Sequence, residues 1–337
     1  MDELLDAALQ RLLEKQSSPQ VVRDIERGES STELWQQLEH SGFADVLLPE
    51  TSGGGGIALG SAFPLLELCG SHLLPLPLAQ TMLVRAMLVE AGTSAPPGAI
   101  AIAAHGQRDA GVVRCSQVSF GRVADLVLVD VGGPVLLSTG GARSTPGILP
   151  LDATLEWPLA ALAQATRVAG TYDVESLQAC CAAALISGAL SNVFRRTLQY
   201  ANERLQFGRP IGKFQAIQHQ LSVLAEHSFA ARMAAQIGCQ STTWRPDRLR
   251  VAVAKARASE AALEGIAIAH SIHGAIGFTA ELDLQLYTRR LHAWRQGAGS
   301  ESYWHDVLGE ALLASPGLPA IDAVRTTTDF SLSEGER

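Results

Sequence analysis

The residues best suited to chemistry lie in one stretch, Tyr200 to His219: Tyr-Ala-Asn-Glu-Arg-Leu-Gln-Phe-Gly-Arg-Pro-Ile-Gly-Lys-Phe-Gln-Ala-Ile-Gln-His. Arg204 sits where a long helical run ends, and an arginine fork offers paired hydrogen bonds plus charge to a diphosphate. An arginine at that place also complements the dipole of a helix C-terminus, so the residue type alone leaves both readings open. A second stretch, His273-Gly-Ala-Ile-Gly-Phe-Thr-Ala-Glu281, follows another helical run. Its glycines suit a helix stop, or a place where the backbone must approach something closely. His270 and His273 are three apart, as metal ligands can be, but no Cys, Asp or Glu has fitting spacing, and no metal site is expected. The run Gly53 to Gly56 lacks the Gly-Lys-Ser/Thr of a phosphate loop and reads as a plain loop. There is no Gly-x-Ser-x-Gly nucleophile elbow.

These residues need a scaffold, and the chain has ample length for one. At 337 residues the expectation is two or three domains. A hydrophobic share of 47% with 18% charged residues is globular. A net charge of -8 argues against a nucleic-acid or anionic-membrane surface. Cys69, Cys115, Cys180, Cys181 and Cys239 show no CxxC spacing and read as reduced, buried thiols of a cytoplasmic protein. Met1 leads straight into an acidic amphipathic segment, so no signal peptide is expected. The most apolar stretch, Cys180 to Phe194, is shorter than a membrane span, so no membrane insertion is expected.

Periodicity predicts helices over residues 2–93, with stripes such as Leu4, Leu5, Ala8, Leu12 and Leu13. From Gly98 to about Gly170 come short valine-, isoleucine- and leucine-rich runs, 99–104, 112–120, 124–131 and 134–138, that read as a small β domain. Helices follow at 174–203, 214–240, 246–272, 280–295 and 300–313, with short connections that favour an antiparallel bundle. Phe214, Ile217, Leu221 and Leu224 give the second of these its buried face. The segment 315–337 has little to bury and is expected to be a flexible tail. The fold class is α+β, mainly α, with domains at 1–95, 96–172 and 173–314.

Glu-Arg-x-x-Phe-Gly-Arg-Pro-Ile followed by Phe-Gln-Ala-Ile-Gln resembles the FAD-contacting hairpin of acyl-CoA dehydrogenases. The resemblance is strong over 174–313, looser over 30–93 and weak in the β domain, which looks trimmed and lacks the family's Thr-Glu-Pro…Gly-Ser type loop. It implies the fold of that family, with FAD across a subunit interface. Arg204 would then meet the diphosphate, Phe207 would pack against the cofactor or cap the hairpin core, and Gln215 would reach the adenine end or stay solvated. The 273–278 stretch resembles the family's Gly-Gly-x-Gly-Phe loop, which contacts the FAD of a neighbouring subunit through Gly274 and Gly277. Here Ala275 replaces the second glycine, and Ser271 stands where a glutamine is usual.

Dehydrogenation beside a thioester needs a carboxylate to take the α proton while the β hydride leaves. The resemblance places that glutamate at one of two positions. Counted without gaps, these are Ala298, followed by Gly299 and Ser300 as a further cofactor contact, and Gln178. Neither is acidic. Glu175 and Glu301 are the nearest carboxylates, and Glu301 also suits the opening turn of a helix for purely structural reasons. Trp294-Arg295 and Tyr303-Trp304 flank the turn and either shape an acyl pocket or pack the core. Family members linked to sterol or aromatic-acid breakdown include short paired subunits, one bringing the glutamate and the other completing the FAD site. The expectation is therefore an FAD-dependent acyl-CoA dehydrogenase subunit that acts on an acyl-CoA, passes electrons to an acceptor flavoprotein, and works as a homo-oligomer or as a heterotetramer with a base-bearing partner. A self-sufficient enzyme using Glu175 or Glu301, and a non-catalytic member that binds only acyl-CoA or a partner, are the alternatives.

Overall fold

The computed structural model describes residues 2–314 and 319–329. Five helices open the chain: α1 Asp2–Gln16, α2 Pro19–Glu26, α3 Thr32–His40, α4 Leu59–Ser71 and α5 Leu78–Glu90. Eight strands follow: β1 Ile100–Ala103, β2 Gln107–Asp109, β3 Val112–Val118, β4 Leu126–Asp130, β5 Pro134–Ser138, β6 Arg143–Pro146, β7 Ala153–Pro158 and β8 Thr166–Arg167. The remainder is α6 Val174–Glu203, a hairpin of β9 Leu205–Gln206 and β10 Arg209–Pro210, then α7 Gln215–Cys239, α8 Arg248–His273, α9 Leu284–Gln296, α10 Glu301–Leu313 and α11 Ala320–Thr328.

The strands form two sheets, ordered β1-β4-β5-β8 and β2-β3-β7-β6. Ala101, Val127, Val129 and Leu137 of the first pack on Val113, Cys115, Leu155 and Trp157 of the second. The other face of the first sheet, with Ile100, Ile102, Leu128 and Leu136, packs on Val84, Met87 and Leu88 of α5 and on Leu177 of α6. Burial on both faces is why β1 and β4 read as unbroken apolar runs. The sheet β1 joins has a free edge, and its outward N–H groups need partners. Ile100 donates to Thr81 Oγ1 (2.9 Å), Ile102 to Gln80 Oε1 (2.7 Å) and Ala104 to Gln178 Oε1 (3.1 Å).

The bundle helices stand where periodicity put them, with α6 running through the centre. It crosses α4 at two glycines: a Cβ at Gly188 would lie 1.9 Å from Glu67 O, and one at Gly70 2.1 Å from Leu185 O. Length does not mark α6 as a core helix, contrary to the expectation drawn from 180–194. All 30 residues are helical with mean hydropathy 1.5 over the most apolar window, enough to cross a membrane by composition. What distinguishes it is burial, since 78% of that window is inside the protein. A second such stretch, Arg248–Phe278, covers α8 and the turn after it.

The β domain and the tail differ from expectation, while the glycine run and the burial of the free cysteines stand as expected. β2, β6, β7 and β8 were not foreseen: β2, β6 and β8 are exposed along their whole length and lack an apolar face, whereas β7 is buried but its apolar positions are interrupted by Thr154 and Glu156. The segment read as a flexible tail contains α11, pinned by Arg250, which donates to Thr327 O (2.9 Å) and Asp329 O (3.1 Å). Residues 315–318 and 330–337 of that segment lie outside the described residues. The glycine run 53–56 is a packed loop: Gly54 N, Gly55 N and Gly56 N donate to Pro49 O, Asp45 O and Leu48 O, leaving those amides no role toward a phosphate. All five cysteines are free and buried.

One buried acid has a measurable consequence. Asp152 accepts from Phe120 N (3.1 Å), and burial pushes its carboxyl up to about 6. The unfolded chain releases this proton near pH 4, the folded chain near 6, so stability falls as pH rises across that window. Asp152→Asn keeps the acceptor without the charge. It is expected to stabilise the protein by about 1–2 kcal/mol at pH 7.5, with the gain disappearing below about pH 4. Urea denaturation of both proteins at the two pH values checks this.

Candidate functional site

α6 and α7 are joined by the two-residue β9–β10 hairpin, with Arg209 paired to Gln206 and Pro210 to Leu205. Its central residues, Phe207 and Gly208, have φ of +52° and +78°. A turn with two left-handed residues favours Asn-Gly, and a bulky side chain there costs about 1–2 kcal/mol. Phe207 is also 90% exposed. Neither backbone preference nor burial within the chain accounts for a phenylalanine at this tip. Phe214 sits behind it, edge-on to Phe207 at 6.0 Å and under the Arg209 guanidinium at 4.3 Å.

The hairpin faces the end of α8 across a cavity of about 690 Å³. Tyr200, Arg204, Phe207 and Phe214 line one side, and Ser271, His273, Gly274 and Ile276 the other. Two stretches that sequence alone singled out thus form one site. Arg204 is exposed and makes no ion pair among the described residues, while Arg209 is occupied by Phe214. The Tyr200 and His273 rings stack at 4.4 Å. His273 Nδ1 donates to Ala269 O (2.8 Å), and burial holds the imidazole below its usual range against that bond. The ring is therefore neutral at pH 7 and presents an unprotonated Nε2. Gly274 ends α8 with φ +66°, which explains glycine there. The volume, the unpaired guanidinium and the aromatic walls suit an elongated heteroaromatic diphosphate.

The remaining expected contacts do not line this cavity. Gln215 is exposed at the first turn of α7. Gly277 is buried under its loop, where a Cβ would meet His273 Cβ at 3.0 Å. Ser300 caps α10, accepting from Tyr303 N. Tyr200, Phe214 and His273 were missed as wall residues; the signal was available, since each is a planar ring beside a residue already chosen.

The two positions where a catalytic glutamate was sought, Gln178 and Ala298, meet in a second cavity lined also by Gln80, Ser119, Leu185 and Trp294. Its volume is about 10 Å³, room for about one water. Gln178 is spent on the β1 edge. Ala298 has φ +57°, and its carbonyl accepts from Trp304 Nε1 (2.8 Å). Trp294 and Trp304 are both buried, so the flanking tryptophans pack the core.

The weaker carboxylate candidates are held elsewhere. Glu175 accepts from Tyr303 OH (2.6 Å) and Arg248 (3.0 Å), with His105 Nε2 at 3.3 Å. Glu301 pairs with Arg295. Burial works to raise Glu301, but its own backbone N–H and Arg295 outweigh it and keep the carboxyl below its usual range. Neither lines the small cavity. His270 and His273 diverge, His270 Nε2 meeting Thr288 Oγ1 at 3.1 Å.

Residues 176–313 match the family model "Acyl-CoA dehydrogenase, C-terminal domain". Acyl-CoA dehydrogenase IpdE2 of Mycolicibacterium smegmatis is 32% identical over 302 residues, 88% of this chain and 94% of that protein. IpdE2 of Mycobacterium tuberculosis is 29% identical over 298 residues, 87% and 92% of the two chains. Among solved structures, the ChsE4-ChsE5 complex from Mycobacterium tuberculosis superposes with TM-score 0.79 at 22% identity, over 94% of this chain and 98% of that one. Butyryl-CoA dehydrogenase from Megasphaera elsdenii gives 0.76 at 19% identity, over 93% and 98%. On its sequence and its fold together, this chain belongs to the acyl-CoA dehydrogenase family, FAD-dependent oxidoreductases acting on CH–CH bonds.

Proposed function

We propose that this chain is the subunit of a heteromeric acyl-CoA dehydrogenase that brings no catalytic carboxylate and completes the FAD site of a base-bearing partner. The observation that carries the reading is the contrast between its two cavities. The one between the Arg204 hairpin and the His273 turn has room for a nucleotide, while the one between Gln178 and Ala298 has room for about a water. Bound FAD supplies the acceptor for the hydride that leaves the β carbon of a CoA thioester. The residues of this chain bind and orient it. The Arg204 guanidinium pairs with diphosphate oxygens, Phe207 covers the cofactor from the hairpin tip, and His273 backs the site as a neutral ring. The α proton goes to a carboxylate of the partner. The resemblance to a solved two-protein complex, ChsE4-ChsE5, and to a "Tcur3481-Tcur3483 steroid ACAD" favours a paired assembly and a polycyclic or sterol-derived acyl group. We place the assembly in the cytoplasm, with an electron-accepting flavoprotein as its outlet.

Glu175→Gln and Glu301→Gln test this against a self-sufficient enzyme. Losing a general base costs about 10²–10⁴-fold. With the partner present, each variant is expected to keep kcat within about threefold, since neither group takes the α proton. A hundredfold loss in either, with flavin still bound, would make that residue the base and this chain complete.

A further inference from the structure

The loop that passes Ala298 is held from below by a residue that neither the fold nor the proposed function has used. Lys255 lies in the alanine-rich middle of α8 and is 0% exposed. Taking an ammonium out of water is costly, and an apolar side chain of similar length would fill the space without that cost. The lysine is therefore explained only by the bonds it makes. Its three N–H groups are all used: Ser259 Oγ at 3.0 Å, Arg295 O at 2.9 Å and Gly299 O at 2.7 Å. One of these acceptors lies in the last turn of α9, just ahead of the 297–300 loop, and another lies within the loop.

That loop would not keep its shape unaided. Ala298 and Gly299 are consecutive left-handed residues, φ +57° and +83°, and the first carries a Cβ that disfavours the conformation. Trp304 Nε1 holds Ala298 O from the far side, and the Arg295–Glu301 ion pair ties the two ends together. Arg295 Nε and Glu301 Oε2 are buried without a partner, so the ion pair alone leaves the ends imperfectly satisfied. Lys255 is the group that bonds the backbone both ahead of the loop, at Arg295 O, and within it, at Gly299 O.

We propose that Lys255 is the positioning residue of the 297–300 loop, pinning Ala298 against the Gln178 cavity through Arg295 O and Gly299 O and so keeping that cavity closed. The clamp is built to survive loss of a proton. Burial pushes Lys255 down to about 7, but a neutral amine still has two N–H groups for the two carbonyls, and the Ser259 hydroxyl can turn to donate to its lone pair. The proposal goes beyond the half-site reading and does not need it, since the loop is pinned whichever subunit supplies the base.

Hydrogen exchange on the assembled protein, followed in peptides covering 294–304 and in α6 and α7 as internal references, tests it. Lys255→Met is expected to speed exchange of the hydrogen-bonded amides at the loop's two ends, Gly297 on Ala293 O and Trp304 on Ser300 O, tenfold or more relative to the references. Ser259→Ala leaves both carbonyl bonds in place and should leave the loop protected. Loop exchange unchanged in Lys255→Met, or accelerated equally in the references, would overturn the proposal. Should the Met variant fail to fold, Lys255→Gln decides. Its shorter amide reaches at most one of the two carbonyls, so intermediate protection is expected and wild-type protection would contradict the clamp.

Discussion

Gly188→Ala is expected to destabilise the chain by at least about 3 kcal/mol, the upper end of the usual overpacking penalty. The added Cβ would stand 1.9 Å from Glu67 O and 2.7 Å from Ser71 N, both backbone atoms of α4 that no side-chain rotation can move aside. Relief requires α4 and α6 to separate, and that crossing sits in the main core, with Ala184, Leu185, Ala189 and Leu190 on one helix and Leu65, Leu66 and Cys69 on the other. Gly309→Ala is the matched control. Nothing lies within 4 Å of its added Cβ, and within α10 the change should stabilise by up to about 1 kcal/mol. Urea midpoints of the two variants should therefore move in opposite directions. Equal, small shifts would mean that the α4–α6 crossing is looser than described.

The second large effect concerns ligand rather than fold. Arg204→Ala should weaken flavin retention in the assembled complex by about 10–100-fold, the value of one or two charge-assisted hydrogen bonds. Stability should stay near wild type, because Arg204 is exposed and carries no ion pair among the described residues. Arg204→Lys keeps the charge but not the planar fork, and intermediate retention is expected. Equilibrium dialysis of the complex at matched ionic strength measures all three. Undiminished flavin in Arg204→Ala would remove the guanidinium from the site. A parallel loss of folding would make it structural.

How far the sequence reaches can be judged from particular residues. α6 through α10 were legible because apolar spacing, Gly274 and the Gly297–Gly299 break are local signals. The hairpin was legible as a joint between helices, and Arg204, Phe207 and Gly274, chosen from two separate spellings, come to the wall of one cavity. Gln178 drew notice only as a non-acid at a position where a base was sought, and its structural task was hidden. It serves the Ala104 amide across 74 positions of sequence, a pairing that exists only once β1 lies beside α6. The near-absence of space beside Ala298 depends on Trp294 and Leu185 packing there, which no local pattern encodes. β6 was invisible for the opposite reason, since an exposed strand needs no apolar alternation. A lone lysine among Ala252, Val253, Ala254 and Ala256 was a signal that could have been used, because charge on an apolar helix face must find partners.

The half-site reading is tested most directly by the visible absorption spectrum of the chain purified alone and co-expressed with a base-bearing member of the family, each then mixed with an acyl-CoA. Flavin absorbance that bleaches on acyl-CoA addition is expected in the co-expressed complex, and none in the lone chain. Flavin bound and bleached by the lone chain would contradict the half-site reading, and would require a base and a cavity that Gln178 and Ala298 do not provide.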